Sequence, residues 1–349
     1  MARGTVRKES KILELAKEVE IYNNRVWQEI FTFIGRQISH PYLREIIKYI
    51  PKVRKGKAAN RPFATYLGYL LGGGKKGDRD IYKVSAAMEF LNCSITYIDD
   101  KILDDDPTVG DFISLHKKYD VHMAILASSQ LRTLGRKLII ETIFSYSNKN
   151  TIKKILQEVE MINLKADYGQ YLDVTYGEVY GASINDAIKI NDLRTGQFVR
   201  RSAIIGALYA DTDSKIVDII SKAFKYYGRA VQDANDLNDV ILNLHSPGSK
   251  GQDIRLFKKT KPIIKALELA DQKQKGILLS TLGNKYATEL EIKKVSEVIK
   301  KTGAIDWAKK DIENTINKGI NTLLKLPETD PREKAILYFL LLLWKVNKK

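Results

Sequence analysis

The feature that most constrains the fold is the spacing of the apolar residues, which recur every three or four positions along almost the whole chain. This spacing places apolar side chains on one face of an α-helix, whereas the alternation typical of strands is nearly absent. We therefore predict an all-α fold with about ten or more helices in one large bundle. The two clearest apolar stripes are Ala86, Ala87, Phe90, Leu91, Ile95, Ile98 and Ile102, and Phe224, Tyr227, Val231, Leu237 and Ile241.

Helix breaks are predicted where Gly, Pro, Asn and Asp residues gather. None of these breaks is long or biased enough to be a linker between independent domains, and no internal repeat is present. We therefore predict a single domain over residues 1–349, with its core at about 10–330 and a C-terminal apolar helix at about 332–346. The predicted breaks are Leu71 to Asp80, Asp104 to Asp111, Ser147 to Thr151 and His245 to Asp253.

Composition excludes several classes of site and partner. Cys93 is the only cysteine and there are four histidines, so a disulfide framework or a cysteine-built zinc site is excluded and a metal site must use oxygen ligands. The net charge is +16, from 58 Lys and Arg against 42 Asp and Glu. Because these basic residues alternate with acids and form no known nucleic-acid motif, we expect anionic small molecules rather than nucleic acid as partners.

The segments at the two ends of the sequence bear on location. The first residues lack the apolar stretch of a secretory signal. Near the other end, Ala335 to Trp344 is a run of ten apolar residues, which is half of the roughly 20 needed to span a bilayer. We predict a cytoplasmic protein whose last helix is buried, and a peripheral membrane contact through this run and the basic tail remains the alternative.

A first acidic cluster ends the first apolar stripe, in the segment ITYIDDKILDDDP. On a helix, Asp100 and Asp104 are four residues apart and lie on one face, where like charges destabilise the helix. Pro107 predicts that the helix ends at or just before Asp106. The cluster is either a solvated helix end or part of a Mg²⁺ site, because Mg²⁺ is commonly held by a few carboxylates together with a substrate's phosphates.

A second polar cluster, in GRAVQDANDLND, favours the metal site. Gln232, Asn235, Asp236 and Asp239 follow the spacing of one helix face, among residues that should point inward. Inward acids are costly unless they are paired or bound to metal. We therefore expect two acidic helices on opposite walls of a central cavity that holds metal ions and a polyanion. The candidate cations for the anion are Lys57, Arg61, Arg194, Lys258 and Lys259.

In this order and context, the motifs resemble those of the trans-isoprenyl diphosphate synthases. The resemblance runs from about Lys55 to about Ala266. KGKAANRPF is similar to the family's GGKRxRP element, and AAMEFLNCSITYIDD to the helix that leads into its first aspartate-rich motif. The elements that follow in family order are HKKYDVHMAILASSQL, GQYLD, LRTGQ, GRAVQDANDLND and DIRLFKKTKP.

The resemblance implies an all-α, Mg²⁺-dependent prenyltransferase that extends an allylic diphosphate with isopentenyl diphosphate, and it implies a homodimer. It gives catalytic roles to Arg194, Thr195, Gln232 and Lys258. It gives substrate binding to Lys57, Arg61, Asn92, Gln170, Asp173 and Lys259. It gives metal binding to Asp99, Asp100, Asp104, Asn235, Asp236 and Asp239. Ser94 and Ile95, just before the first motif, are not aromatic, which by analogy favours products of about C20 or longer.

Three departures from the family pattern bear on activity. Leu103 stands at the third acidic position of the first motif and the acid arrives one residue later, at Asp104. On a regular helix this rotates the carboxylate by roughly 100°, so either the helix is distorted or Asp104 binds differently. Asn235 replaces an aspartate. Thr108 and Val109 stand where the family has two arginines, one for each diphosphate.

These departures leave three functions open. In an active prenyltransferase, other cations such as Lys101, Lys117 or Lys118 would replace the arginine pair, and Asn92 would replace the family's His or Gln. A terpene cyclase or another diphosphate-ionising relative would use no isopentenyl diphosphate. A low-activity subunit of a heteromeric synthase would have little use for two acidic helices.

Overall fold

The all-α prediction is confirmed over the residues that the computed structural model describes, which are 2–55, 59–145, 149–178, 182–242 and 251–348. Only one two-stranded hairpin interrupts the helices within these ranges. The first half of the chain forms α1 (Ala2–Gln37), α2 (Pro41–Arg54), α3 (Asn60–Leu71), α4 (Asp80–Ser94), a π-helical turn (Ile95–Asp99), α5 (Asp100–Leu103), strands β1 (Thr108–Val109) and β2 (Phe112–Ile113), α6 (Leu115–Lys118) and α7 (Val121–Ile143).

In the second half of the described chain, all regular secondary structure is helical. It forms α8 (Lys149–Glu178), α9 (Ile184–Asn191), a second π-helical turn (Asp192–Gly196), α10 (Gln197–Tyr209), α11 (Ser214–Val240), α12 (Gln252–Arg255), α13 (Lys261–Leu269), α14 (Gln272–Thr281), α15 (Glu289–Lys301), α16 (Ala304–Leu323) and α17 (Asp330–Asn347).

Both predicted apolar stripes are buried or half-buried, the first along α4, the first π-helical turn and α5, and the second along α11 and its C-cap. They belong to one continuous apolar cluster that extends from Ile12 to Val346. The predicted break from Leu71 to Asp80 matches the loop between α3 and α4. The break after Asp104 contains the hairpin, which the sequence analysis did not predict and in which Thr108 pairs with Ile113. Part of each of the other two predicted breaks, at 147–148 and 245–250, lies outside the described residues.

The last helix, α17, corresponds closely to the predicted C-terminal helix. It buries Ala335, Tyr338, Phe339 and Leu341, and the Phe339 ring packs edge-to-face on Phe224 of α11 at 5.4 Å between centroids. Among the described residues, no helix is long and apolar enough to cross a membrane.

Two central helices, α3 and α10, pack backbone against backbone and run in the same direction. A Cβ added at Gly68 would lie 1.9 Å from the carbonyl oxygen of Ala203, and one added at Gly206 would lie 1.9 Å from that of Thr65. At their first turns, the Arg61 guanidinium lies 5.2 Å from the centroid of the Phe198 ring. Glycine at these two positions therefore brings the N-terminal ends of both helices to the same end of the bundle, where the cavity opens.

Candidate active site

A cavity of about 440 Å³ lies at this end of the bundle. It falls within the range of about 300–1,000 Å³ that is usual for small-molecule sites. Residues of both polar clusters line it, so the two acidic helices face a common space as the sequence predicts. From the first cluster these are Asp100 and Asp104, and from the second Gln232, Asn235 and Asp239.

The π-helical turn before the first motif changes which acids point into the cavity. The N–H of Asp100 bonds to the carbonyl of Ile95, five residues back, so this turn accommodates one more residue than an α-helical turn. Asp100 and Asp104 then line the cavity, whereas Leu103, at the family's third acidic position, is 53% exposed. Of the two alternatives that the sequence left open, the structure shows the first, a local distortion of the helix.

The end of α5 comes earlier than predicted and has a different cause. The helix ends at Leu103, and Asp105 adopts a left-handed conformation with φ +47°. The N–H of Asp106 bonds to the carbonyl of Lys101, and that of Asp105 to the carbonyl of Ile102. These two bonds form a Schellman cap, so the cap at Asp105, rather than Pro107, ends the helix.

Each acid of the first motif that the sequence assigned to metal is paired with a basic residue. Asp99 turns towards α7, where Arg132 and the hydroxyl of Ser128 donate to it. The Arg194 guanidinium donates to both carboxylate oxygens of Asp100, at 3.0 and 2.9 Å. The Lys258 ammonium lies 2.6 Å from Asp104. The charge repulsion expected within this motif is therefore offset by three cations from other helices and loops.

Asp173 of α8 joins two of these ion pairs into one network. It accepts from Arg194 at 2.7 Å and from Lys258 at 2.6 Å. Burial alone would raise the pKa of Asp173, but the two cations lower it below its ordinary value. In turn, Asp173 and Asp104 raise the pKa of Lys258 against the effect of its burial. The network runs Asp100, Arg194, Asp173, Lys258, Asp104, and within it burial raises the pKa of Asp100 although Arg194 opposes that rise.

The acids of the second motif have neutral partners instead. Asp236 accepts from the side-chain amides of Asn191, at 3.0 Å, and Gln232, at 2.8 Å. Asp239 accepts from the backbone N–H groups of Gln252 and Asp253. No basic side chain within the described residues forms an ion pair with either acid. Burial raises the pKa of Asp236 to about 7 and that of Asp239 to about 6.

Gln232 also links the second motif to the second π-helical turn. The Thr195 hydroxyl donates to the Gln232 carbonyl oxygen at 2.5 Å, and the Gln232 amide donates to Asp236. Asn235 is exposed on the cavity wall. Thr195, Gln232 and Asn235 therefore present neutral polar atoms between the two acidic helices.

Three of the residues assigned to substrate lie elsewhere in or near the cavity. Arg61, which is 7% exposed, and Gln170 line it, and the buried amide oxygen of Gln170 has no hydrogen-bond partner in the described part of the chain. Lys259 lines a smaller cavity of about 60 Å³ beside Asp236, with its ammonium 3.0 Å from the centroid of the Phe257 ring. Burial lowers the pKa of Lys259 to about 8.

For two other assigned residues, the described structure shows no place in the main cavity. Lys57 lies outside the described residues. Asn92 is fully buried and is not among the described residues that line the cavity. Its side-chain amide donates to both carboxylate oxygens of Glu89, at 3.0 and 3.1 Å. Asn92 therefore holds the carboxylate of Glu89 and contributes no atom to the described cavity wall.

Sequence reasoning missed several polar residues of the site. Ser128 and Arg132, which hold Asp99, are four residues apart on α7, and that spacing next to a buried stripe could have identified them. Asp253 opens the DIRLFKKTKP segment and lines the smaller cavity. Burial raises the pKa of Asp253, and the nearby Asp239 adds to this effect. Asn191 and Glu89 carried no spacing signal that would have singled them out.

The donor set fits a divalent ion only if a ligand completes the coordination. Within the described residues, no group of three or more His, Cys, Asp or Glu side chains is arranged to hold a metal ion. Asp236 is nevertheless buried and Asp239 half-buried, neither forms an ion pair with a basic side chain of the described residues, and oxygen donors of two helices line one cavity. Such a set suits Mg²⁺, which usually takes one or two carboxylates together with water and substrate phosphate.

Known proteins with similar sequences carry related names. A short chain isoprenyl diphosphate synthase of Methanocaldococcus jannaschii is 29% identical over 71% of this chain and 73% of that protein. A geranylgeranyl diphosphate synthase of Saccharolobus solfataricus is 28% identical over 75% of this chain and 79% of its own length. A geranylfarnesyl diphosphate synthase of Aeropyrum pernix is 25% identical over 83% and 90%, respectively.

Solved structures show the same fold. A geranylgeranyl pyrophosphate synthetase from Pyrococcus horikoshii superposes with a TM-score of 0.81 at 22% identity, over 95% of this chain and 99% of that chain. A geranylgeranyl pyrophosphate synthase from Corynebacterium glutamicum, complexed with isoprenyl diphosphate and magnesium, gives 0.85 at 18% identity over the same shares. The sequence profile of the polyprenyl synthetase family matches residues 40–299. Because this match covers well over half of the chain, the protein belongs to the polyprenyl synthetase family.

Proposed function

We propose that this protein is a trans-prenyltransferase that condenses isopentenyl diphosphate with an allylic diphosphate to give a prenyl diphosphate of about C20 or longer. The observation that carries the proposal is the cavity itself, on which acids of two helices and the guanidiniums of Arg61 and Arg194 meet. The names of the relatives, geranylgeranyl and geranylfarnesyl diphosphate synthases among them, support the same reaction and product range.

Mg²⁺ is the metal that we propose for this cavity. Asp100 and Asp104 on one wall, and Asn235, Asp236 and Asp239 on the other, would hold it. Asp99 belongs to the same proposed set by resemblance, but its carboxylate is committed to Arg132. When bound, the metal would supply Lewis-acid stabilisation of the diphosphate leaving group.

The chain's own cations would take up the charge of that leaving group. Lys258 is buried and Arg194 half-buried, and neighbouring acids hold both in the charged form, so they are already oriented and need little reorganisation when the C–O bond of the allylic diphosphate breaks. The π electrons of isopentenyl diphosphate then form the new C–C bond with the allylic cation. The cation that results loses a proton to the released diphosphate, and the electrons of the broken C–H bond form the new double bond. Thr195 and Gln232 would orient this region by their mutual hydrogen bond.

Product length would depend on the apolar part of the cavity. Ile95 lines it together with Ala166, Phe198 and Val231. Ser94 is the other position that the sequence analysis singled out. Its hydroxyl shares a hydrogen bond with Ser128 and accepts one from Arg132, and it places no aromatic ring at the apolar end of the cavity. The lack of an aromatic side chain at Ser94 and Ile95 supports a product longer than farnesyl.

Homodimer formation and a cytoplasmic location belong to the same proposal. The apolar side chains of Ile125 and Leu126 on α7, and of Leu164 and Tyr171 on α8, are exposed in the single chain. A second copy covering these helices would remove them from water. Gel filtration with light scattering would distinguish a dimer of 79 kDa, twice the 39.7 kDa of the chain, from a monomer.

A second candidate is a relative that ionises an allylic diphosphate but uses no isopentenyl diphosphate, such as a terpene cyclase. It is favoured by Thr108 and Val109, which form strand β1 where the family has its arginine pair. The purified protein with Mg²⁺, labelled isopentenyl diphosphate and farnesyl diphosphate decides between them. A longer labelled prenyl diphosphate supports the prenyltransferase, whereas free diphosphate with an alcohol or hydrocarbon supports the second candidate. Turnover only with an added partner would indicate a subunit of a heteromeric synthase.

A further inference from the structure

The second π-helical turn, Asp192–Gly196, carries two of the residues to which the resemblance gives a catalytic role, Arg194 and Thr195. The N–H of Gln197 bonds to the carbonyl of the first residue of the turn, five residues back. Turns of this kind are rare, and they occur frequently at functional sites. Thr195 donates to Gln232 of α11. The positions of both side chains therefore depend on how the turn lies against α11.

Backbone contact fixes the distance between this turn and α11. A Cβ added at Gly228 would lie 2.9 Å from the Cα and 3.0 Å from the carbonyl oxygen of Gly196. Because Gly228 has no side chain, the turn packs directly on the backbone of α11. A contact at one point fixes a distance but not an orientation. A rotation of the turn about this point would move Arg194 and Thr195 away from their partners.

An ion pair next to this contact fixes the orientation. Arg229 donates from Nε and Nη2 to the two carboxylate oxygens of Asp192, at 2.7 and 2.6 Å. The two side chains are only 17% and 15% exposed. Two parallel charge-assisted hydrogen bonds between a planar guanidinium and a carboxylate fix the angle between the groups as well as their separation. Asp192 lies two residues before Arg194, and Arg229 lies three residues before Gln232, so the pair joins the two segments that carry these side chains.

We propose that Asp192 and Arg229 are positioning residues of the reaction. Their bidentate pair holds the π-helical turn at the angle to α11 at which Arg194 faces the cavity and Thr195 meets Gln232. Neither Asp192 nor Arg229 is among the described residues that line the two cavities of the site, so both act through Arg194 and Thr195. This assignment rests on the proposed prenyltransferase function, and the sequence analysis gave no role to either residue.

The test measures the binding of Mg²⁺ with inorganic diphosphate by calorimetry, which requires no turnover. Arg229→Met removes the bidentate pair but keeps a long side chain, so the affinity should fall about 10-fold because Arg194 is no longer held towards the anion. In an Arg194→Gln background, Arg229→Met should change the affinity by less than about threefold, because the residue through which it acts is already lost. A residue that only stabilises the fold would cause the same loss in both backgrounds.

Kinetics with both substrates give a second measurement. Arg229→Met should lower kcat about 10- to 100-fold. The KM for isopentenyl diphosphate should not change, because the positioned groups act on the leaving diphosphate of the allylic substrate. Arg229→Lys keeps the charge but not the two parallel bonds, so its diphosphate affinity should lie between those of Arg229→Met and the wild type. Thermal unfolding of each variant checks folding, and Arg229→Lys carries the comparison if Arg229→Met or the double variant does not fold.

Lys225→Met is the matched control. Lys225 lies 3.4 Å from the same carboxylate, one turn before Arg229 on α11, but it is 42% exposed and its ammonium cannot form a planar bidentate pair. Neither the diphosphate affinity nor kcat should change in this variant.

Three results overturn the role of the pair. An unchanged diphosphate affinity in the folded Arg229 variants would leave the pair with a structural role only. An equal loss in the two Arg194 backgrounds would show that Arg229 does not act through Arg194. An equal loss in Lys225→Met would show that the charge near Asp192 matters rather than the bidentate pair. A wild-type protein that binds Mg²⁺ with diphosphate but does not consume isopentenyl diphosphate refutes the proposed function instead, so the two failures are distinguishable.

Discussion

Asp236→Asn should stabilise the metal-free protein at alkaline pH, although it removes an acid of the proposed metal site. Asp236 is buried on α11 and accepts hydrogen bonds only from the neutral amides of Asn191 and Gln232 within the described structure. A nearby acid on the same helix, Asp233, is the matched control. It is equally buried and also accepts from Asn191, but it pairs with Lys261 at 2.7 Å.

The expected magnitude follows from the pKa of Asp236, which burial raises from 3.8 to about 7. An acid whose pKa is raised in the folded state contributes its full stability at pH values below its pKa in the unfolded state. That contribution is lost as the pH rises through its pKa in the folded state. A difference of about three units costs roughly 4 kcal/mol above pH 7. Asparagine avoids this cost but turns its own N–H₂ towards one of the two amide donors, which costs about 1–3 kcal/mol. The net gain should be about 1–3 kcal/mol.

Asp233→Asn should have the opposite sign. It leaves Lys261, which is 3% exposed, with only Asp311 as an ion-pair partner in the described structure, at 2.8 Å. Breaking a buried pair typically destabilises a protein by about 3–5 kcal/mol, and the remaining contact should place this variant at the low end.

Urea unfolding of both variants in chelator, near pH 5 and near pH 8, measures these differences. At the higher pH the two variants should move in opposite directions relative to the wild type. Near pH 5, the gain of Asp236→Asn should disappear because the wild-type carboxyl is protonated there. If both variants are destabilised alike at both pH values, Asp236 is a structural hydrogen-bonding group, and the inference that its charge lacks a partner until a cation binds is wrong.

Three further predictions concern Glu89, the first motif and product length. Glu89→Gln should raise the free energy of unfolding by about 3 kcal/mol above pH 7 and very little below pH 4.5, because burial raises the pKa of Glu89 from 4.5 to about 7. Urea unfolding across this range measures how the free energy of unfolding depends on pH, and a variant with the same pH dependence as the wild type would contradict the prediction. Asp100→Asn should reduce kcat far more than Asp99→Asn, because Asp99 faces Arg132 rather than the cavity. It should also weaken the binding of Mg²⁺ with inorganic diphosphate far more, as calorimetry would measure. Equal losses in the two variants would contradict the effect assigned to the π-helical turn. Ile95→Phe should shorten the main product, as chromatography of dephosphorylated products would show, and an unchanged product would exclude Ile95 from the floor.

The fold was predictable because helix formation and burial are encoded locally. Spacing every three or four residues identified the stripe through Phe90 and Ile98 and the stripe through Phe224 and Tyr227, all of which are buried. The hairpin at Thr108 was not predictable in the same way. It contains only two residues per strand, too few for any alternation to be visible, and its position depends on a turn at Gly110 with φ +61°.

The composition of the cavity was only partly predictable from the sequence. The acids of both motifs and Arg61 could be placed because they belong to ordered elements of a known family. The partner of each acid could not be predicted, because Arg132 and Asn191 come from helices that meet the motifs only in the folded chain. Pairing across long sequence separations has no local signal.

A single misplaced acid in the first motif does not by itself exclude a metal site. Counted along the sequence, Asp104 is one residue late, but Asp100 and Asp104 are four residues apart, which is the spacing that places two side chains on one helix face. The π-helical turn at Ile95–Asp99 moves the register by one residue, so this pair, rather than Asp99, reaches the cavity. The extra residue in the π-helical turn therefore compensates for the later position of the third acid. A comparison of the motif sequences alone would show only a mismatch.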